Sequence, residues 1–187
     1  MCINGSHRQR GLTLIELIMF IVIVGVALAG ILTVFNVTTR SSTDPMIRKQ
    51  MLAIAEAVLE EVQLQPFTLC DPDDPLAATA TSATPLPPPG VSCNTPEAIG
   101  PEAGETRGSA TTPFDNVNDY NGLAGITTSI TGGAMPSGYS AAVSVAQNAL
   151  NGIAATDSLR ITVTVTHGAD SLALEGYRTR HSPNLLP

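Results

Sequence analysis

The stretch Arg10-Gly11-Leu12-Thr13-Leu14-Ile15-Glu16 joins a short basic leader to a long uncharged run, and its reading decides the fold. No charged residue occurs from 17 to 39, and residues 17–32 (LIMFIVIVGVALAGIL) are almost wholly apolar. About 20 helical residues at about 1.5 Å each cross a hydrocarbon core of ~30 Å, so the run is long enough to span a bilayer. A secretory signal peptide also pairs a basic start with an apolar run, but its cut follows the run at a small-x-small site. Here Gly11 precedes the run, which is longer than such a segment. A plain single-pass anchor accounts for the hydropathy and leaves Glu16 unexplained. A carboxylate at the edge of a membrane helix is costly and marks a functional site unless it merely snorkels to the lipid interface.

Residues 10–17, RGLTLIEL, resemble the prepilin signal of type IV pilins and secretion pseudopilins. In that family a membrane peptidase cuts after the glycine and methylates the new amino terminus. The resemblance implies cleavage between Gly11 and Leu12, N-methylation of Leu12, and Glu16 as the fifth residue of the mature chain. There the glutamate would meet the terminal amine of a neighbouring subunit during filament assembly. The physics agrees, because an ammonium and a carboxylate attract strongly in low dielectric while an unpaired buried charge is expensive. The implied partners are other pilin subunits, the prepilin peptidase, the inner-membrane assembly platform and the inner membrane itself. Arg8 and Arg10 precede the span while Arg40, Arg48 and Lys49 follow it, so charge counting leaves the topology open. The resemblance sets it, with the leader in the bacterial cytoplasm and the C-terminal domain in the periplasm.

On that topology Cys2 leaves with the leader, and Cys70 and Cys93 remain as an even pair in a compartment that permits disulfides. A bridge would contribute on the order of 3–4 kcal/mol on a loop-entropy argument; the alternative is two free thiols. The chain of 187 residues has room for one domain beside the span, and its net charge of −7 falls to −9 once Arg8 and Arg10 are removed. So acidic a chain, without tryptophan, is a poor binder of phosphate backbones, and no nucleic-acid partner is expected.

Beyond the span, Ser41-Ser42-Thr43-Asp44-Pro45 reads as a capping cluster with proline at a first helical position, where the helix kinks or restarts. Ile47, Met51, Ile54, Ala55, Val58, Leu59 and Val62 then recur at three- and four-residue spacing and make one apolar stripe, with Glu56, Glu60 and Glu61 largely off it. Pro66 ends this helix. Within the span, Gly25, Ala29 and Gly30 supply small residues that let helices approach in lipid. Many major pilins carry a proline midway through the apolar segment. This span has none, which favours a minor or pseudopilin-like role.

Between Pro66 and Pro113 the composition shifts to Pro, Thr, Ala, Ser and Gly, and the prolines of 85–90 exclude helix and central strand. Asp71, Asp73 and Asp74 beside Cys70 could ligate calcium, but acidic residues among prolines usually make solvated turns. In Phe114-Asp115-Asn116-Val117-Asn118-Asp119-Tyr120-Asn121-Gly122 the density of Asn and Asp predicts a structural turn pinned by Phe114 and Tyr120. An EF-hand loop is excluded there because Val117 stands where a ligand belongs. No metal site and no cofactor is expected. The same stretch is similar to the minor pilins of mannose-sensitive haemagglutinin (MSHA) systems.

The C-terminal third has period-two patterning. Tyr139, Ala141, Val143 and Val145 form one alternating set and Leu159, Ile161, Val163 and Val165 a second. A turn at 167–170 leads to a third strand, in which a bulge near Gly176 would bring Leu172, Leu174 and Tyr177 to one face. A weaker strand is expected over 125–131. The fold class is therefore α+β and pilin-like, a long N-terminal helix packed on a small antiparallel sheet. Its predicted parts are a leader at 1–11, a membrane helix at 12–40, an amphipathic helix at 41–66, a Pro/Thr-rich loop with the cysteine pair at 67–113, and a sheet region at 114–187. His167 and His181 belong to no catalytic pattern and are expected to be solvated, so no enzyme is predicted. A type II secretion pseudopilin and a membrane-anchored periplasmic binding domain are the alternatives.

Overall fold

Thr13 opens the first element by accepting the Glu16 N–H at its hydroxyl (3.4 Å) and the Leu17 N–H at its carbonyl (3.2 Å). These two bonds satisfy donors that a helix start otherwise leaves orphaned. The helix that follows, α1, spans Leu14–Leu64 and runs through Pro45. The computed structural model describes residues 13–85 and 90–184, side chains at 36–44 excepted. The chain divides into two units, Met1–Met46 and Ile47–Pro187.

In the second unit the amphipathic stripe has the role its spacing predicts. Met51, Ala55, Val58, Leu59 and Val62 are buried, with Ile47 and Ile54 packed at the edge of the same cluster. They meet the inner face of a three-stranded antiparallel sheet in the order β1 (Tyr139–Gln147), β2 (Ser158–His167), β3 (Asp170–Thr179). Tyr139, Ala141, Val143 and Val145 of β1 and Leu159, Ile161, Val163 and Val165 of β2 are all buried, as period-two alternation requires when one face covers a core. A long apolar helix followed by a small antiparallel sheet is an α+β, pilin-like arrangement.

The third strand departs from expectation. β2 and β3 pair without interruption, Val163 opposite Leu174, Ile161 opposite Gly176 and Arg160 opposite Tyr177, so no bulge forms. Tyr177 consequently lies on the outer face and is 39% exposed. The core-facing position falls to Gly176 because α1 presses there: a Cβ at that glycine would sit 2.5 Å from Gln63 Nε2 and 3.0 Å from Leu59 Cδ1. The weaker strand expected over 125–131 is reduced to bridges, Ile126 with Ala141 on the free edge of β1 and Thr128 with Ala134. Left-handed glycines at 125 and 132 turn the backbone away on either side.

Residues 67–113 hold turns and isolated bridges among the described residues. Cys70 and Cys93 are joined in a disulfide. With Ala77 and Ala80 they form a second small buried cluster. Asn184 closes it from the C-terminal side, donating its amide to the carbonyls of Ala77 (2.7 Å) and Ala80 (2.9 Å).

Candidate functional site

Two regions carry chemistry, and the first is the amino-terminal half of α1. Leu14–Phe35 is the one stretch, among the described residues, long and apolar enough to cross a membrane. Its side chains are exposed all round, Leu14 at 78% and Phe35 at 66%. A helix apolar on every side needs lipid or other helices as solvent. Glu16 stands in its first turn, three residues after Thr13. Its N–H donates to the Thr13 hydroxyl (3.4 Å), one half of a capping box, and its charge stands at the helix end that favours an anion. Gly11 and Leu12 lie outside the described residues.

Residues 6–32 match the prokaryotic N-terminal methylation motif. This match supports the type IV pilin family and a pilin-like or pseudopilin-like role, which is structural rather than enzymatic. Together the methylation motif and the apolar helix point to membrane anchoring, to assembly with other pilins and to processing by a prepilin peptidase. No curated protein and no solved structure matches the chain.

The second region is acidic and is built around the Asn/Asp-rich turn. A short 3-10 helix, Val117–Tyr120, starts at Asn116 in a capping box whose N3 residue is Asp119. Asp119 Oδ2 accepts the N–H of Asp115 (3.0 Å) and of Asn116 (2.7 Å). Phe114 and Tyr120 pack edge to face at 5.1 Å and are buried, as their proposed pinning role requires. Gly100 N–H donates to Asn118 O (3.1 Å) and Glu97 N–H to Leu69 O (3.1 Å), so the 97–102 loop is laid across the turn.

This brings together seven carboxylates that are scattered in sequence. One oxygen each from Glu97, Glu102 and Asp119 lie within 4.8 Å of one another, and the same holds for Asp71, Asp73 and Asp115. Burial, then the charges of Glu102 and Asp119, push the Glu97 carboxyl up to about 9. Burial raises Glu102 as well, with Asp119 next. Glu105 rises to about 7, by burial and by its bond with Glu102. Asp115 reaches about 7, by burial and the Glu105 charge. Asp119 rises to about 6 by burial, held from going further by the Asn116 N–H. Arg180 also acts on Glu97 by its charge, but it is committed to Asp157 (3.2 Å) and lies 4.1 Å over the Phe67 ring.

Of the aspartates beside Cys70, Asp74 serves the backbone. Its Oδ2 accepts the Thr95 N–H (2.6 Å) and its Oδ1 the Leu76 N–H (2.8 Å), and these bonds hold its carboxyl below the ordinary value. Glu61, read from spacing as largely off the apolar stripe, is instead gripped on both oxygens by Arg107 Nε and Nη2 at 2.7 Å each. It also accepts the Tyr120 hydroxyl (3.1 Å). Arg107 Nη1 reaches Thr128 O (3.0 Å), so this ion pair ties α1 to two loops. His167 is not a solvated turn residue. It ends β2, half-buried, with its ring 4.3 Å from that of Tyr139. His181 is exposed, as expected. An open apolar groove of about 670 Å³ runs between α1 and residues 129–135, bordered by Ile54, Ala57, Ile130 and Met135.

Proposed function

We propose that the chain is a minor type IV pilin, resembling the D protein of MSHA pili, that assembles through its N-terminal helix into a pilus or starts one. Cleavage falls between Gly11 and Leu12, and the new Leu12 amine is methylated. Residues 12–40 then anchor the subunit in the inner membrane, with residues 41–187 in the periplasm, until extraction into the filament. Glu16 meets the amine of a neighbouring subunit at that step. The observation that carries this reading is the methylation motif over residues 6–32 leading directly into an exposed apolar helix that keeps a single carboxylate in its first turn. In lipid, that carboxylate is tolerable when a cation or the interface receives it.

The intact mass and N-terminal sequence of the protein from native membranes test the reading. A start at methylated Leu12 is expected. An uncleaved Met1 or Cys2 overturns it and makes a membrane-anchored periplasmic binding domain the leading account. The role of Glu16 is checked with Glu16→Gln, which keeps the size of the side chain and removes its charge. Processing should be unchanged and incorporation into filaments lost, and normal incorporation would refute the role. A type II secretion pseudopilin shares the signal, and the absence of proline between Leu14 and Phe35 fits it as it fits a minor pilin. Co-purification with secretion-platform proteins rather than surface pili would select it.

A further inference from the structure

The dipeptide Asn-Gly occurs at 4–5, 121–122 and 151–152. The first lies outside the described residues, and the fold treats the other two differently. Asparagine before glycine has a reaction of its own. The glycine nitrogen, once deprotonated, attacks the side-chain amide carbon, and no Cβ on the glycine stands in the way. In a folded chain the attack depends on whether side chain and nitrogen are held elsewhere and on how readily the segment opens.

At Asn121-Gly122 both groups are held. Asn121 Oδ1 accepts the Val145 N–H (3.0 Å), and the Gly122 N–H donates to Val143 O (3.2 Å), so side chain and nucleophile are each fastened to β1. Asn151-Gly152 instead lies in the connection between β1 and β2, exposed at both residues. Their φ values of 49° and 94° fit the two central positions of a type I′ turn. That turn is closed by the Leu150 N–H to Ile153 O (3.1 Å) and the Ile153 N–H to Leu150 O (2.8 Å). Ile153 is itself 39% exposed, so no core residue anchors the tip. Among the described residues, neither the Asn151 side chain nor the Gly152 N–H has a hydrogen-bond partner.

We propose that Asn151 is a site of spontaneous covalent modification, converting to isoaspartate and aspartate through a cyclic imide formed with Gly152, with water as co-reactant. The bond from Gly152 N to Asn151 Cγ forms as the bond from Cγ to the side-chain nitrogen breaks. That nitrogen leaves as ammonia, which accounts for the hydrogen that Gly152 gives up. Water then opens the imide, at the backbone carbonyl to give isoaspartate or at the side-chain carbonyl to give aspartate, and nothing is oxidised or reduced. Attack requires the turn to open, and breaking the Leu150–Ile153 pair at an exposed tip is a local event. The product carries a new carboxylate at this tip. In its isoaspartyl form an extra backbone atom enters the turn, and the Leu150–Ile153 pair loses its match. The inference stands apart from the pilin reading, since neither residue belongs to the amino-terminal segment.

The test incubates the full chain in detergent micelles at mildly alkaline pH in heavy-oxygen water, then digests it in acid and follows each Asn-Gly by fragment mass. Asn151 should convert, with isoaspartate exceeding aspartate, at least about tenfold faster than Asn121, a factor that two hydrogen bonds of ordinary net strength supply. In urea with the disulfide reduced, both dipeptides lose their surroundings and should convert at similar rates. Asn151→Gly, which the left-handed backbone accepts, should melt like the parent and lose the isoaspartate signal from the fragment covering the tip. Conversion of Asn151 as slow as that of Asn121 in the folded chain would overturn the proposal. So would a contrast that persists in urea, or a signal that survives in Asn151→Gly.

Discussion

Glu61 and Arg107 are each 10% exposed at the side chain and face each other through two short, charge-assisted bonds. Removing one partner of such a pair strands the other charge. Glu61→Ala should therefore destabilise the second unit by about 3–5 kcal/mol, while a double replacement by apolar residues of similar volume should recover most of the loss. Denaturant midpoints of the two variants check this, and a single variant as stable as the parent would mean that the pair is solvated. Nothing local in the sequence pointed to this role. Glu61 falls largely off the apolar stripe, where a solvated carboxylate is the natural reading, and its partner is 46 residues away in a loop with no periodicity. The acidic region was hidden for the same reason. Glu97 and Glu102 are far from Asp119 in sequence, and backbone bonds of the loop, Gly100 to Asn118 and Glu97 to Leu69, help bring them together.

Elements with a period were legible, and those defined by contact were not. The α1 stripe and the alternation of β1 and β2 follow from 3.6- and 2-residue geometry, and both bury the residues so selected. On β3 the same rule correctly put Leu172 and Leu174 on one face, but assumed that Tyr177 had to join them. The strand instead keeps its register and accepts a glycine under the helix, because the space at 176 is taken by Leu59 and Gln63. Gly176→Val should thus cost about 1–3 kcal/mol by overpacking, against the usual strand preference for valine. Gly176→Ala should be close to neutral, since Gln63 can swing aside and the unfolded chain loses entropy. Thermal melts of the two variants separate packing from propensity, and a valine variant as stable as the parent would show that α1 does not press on β3.

At the scale of the whole chain, apolar residues are used in two ways. Those of Leu14–Phe35 are exposed all round and wait for lipid or other helices. Those of the second unit begin with Ile47 and Met51 and close on the sheet and on Phe67, Phe114, Val117 and Tyr120. Every buried member of that core lies at or beyond Met51, so removing residues 1–46 takes away none of it. The disulfide and the Glu61–Arg107 pair also lie beyond the cut. A chain beginning at Ile47 should stay soluble without detergent and unfold in one cooperative transition, fraying by about one turn at its new helix start, where four N–H groups lose their acceptors. Far-UV and near-UV circular dichroism followed through the same urea titration check this. Coincident transitions are expected, whereas loss of the near-UV signal with helix retained would mean that the first 46 residues are needed to fix the packing of the core.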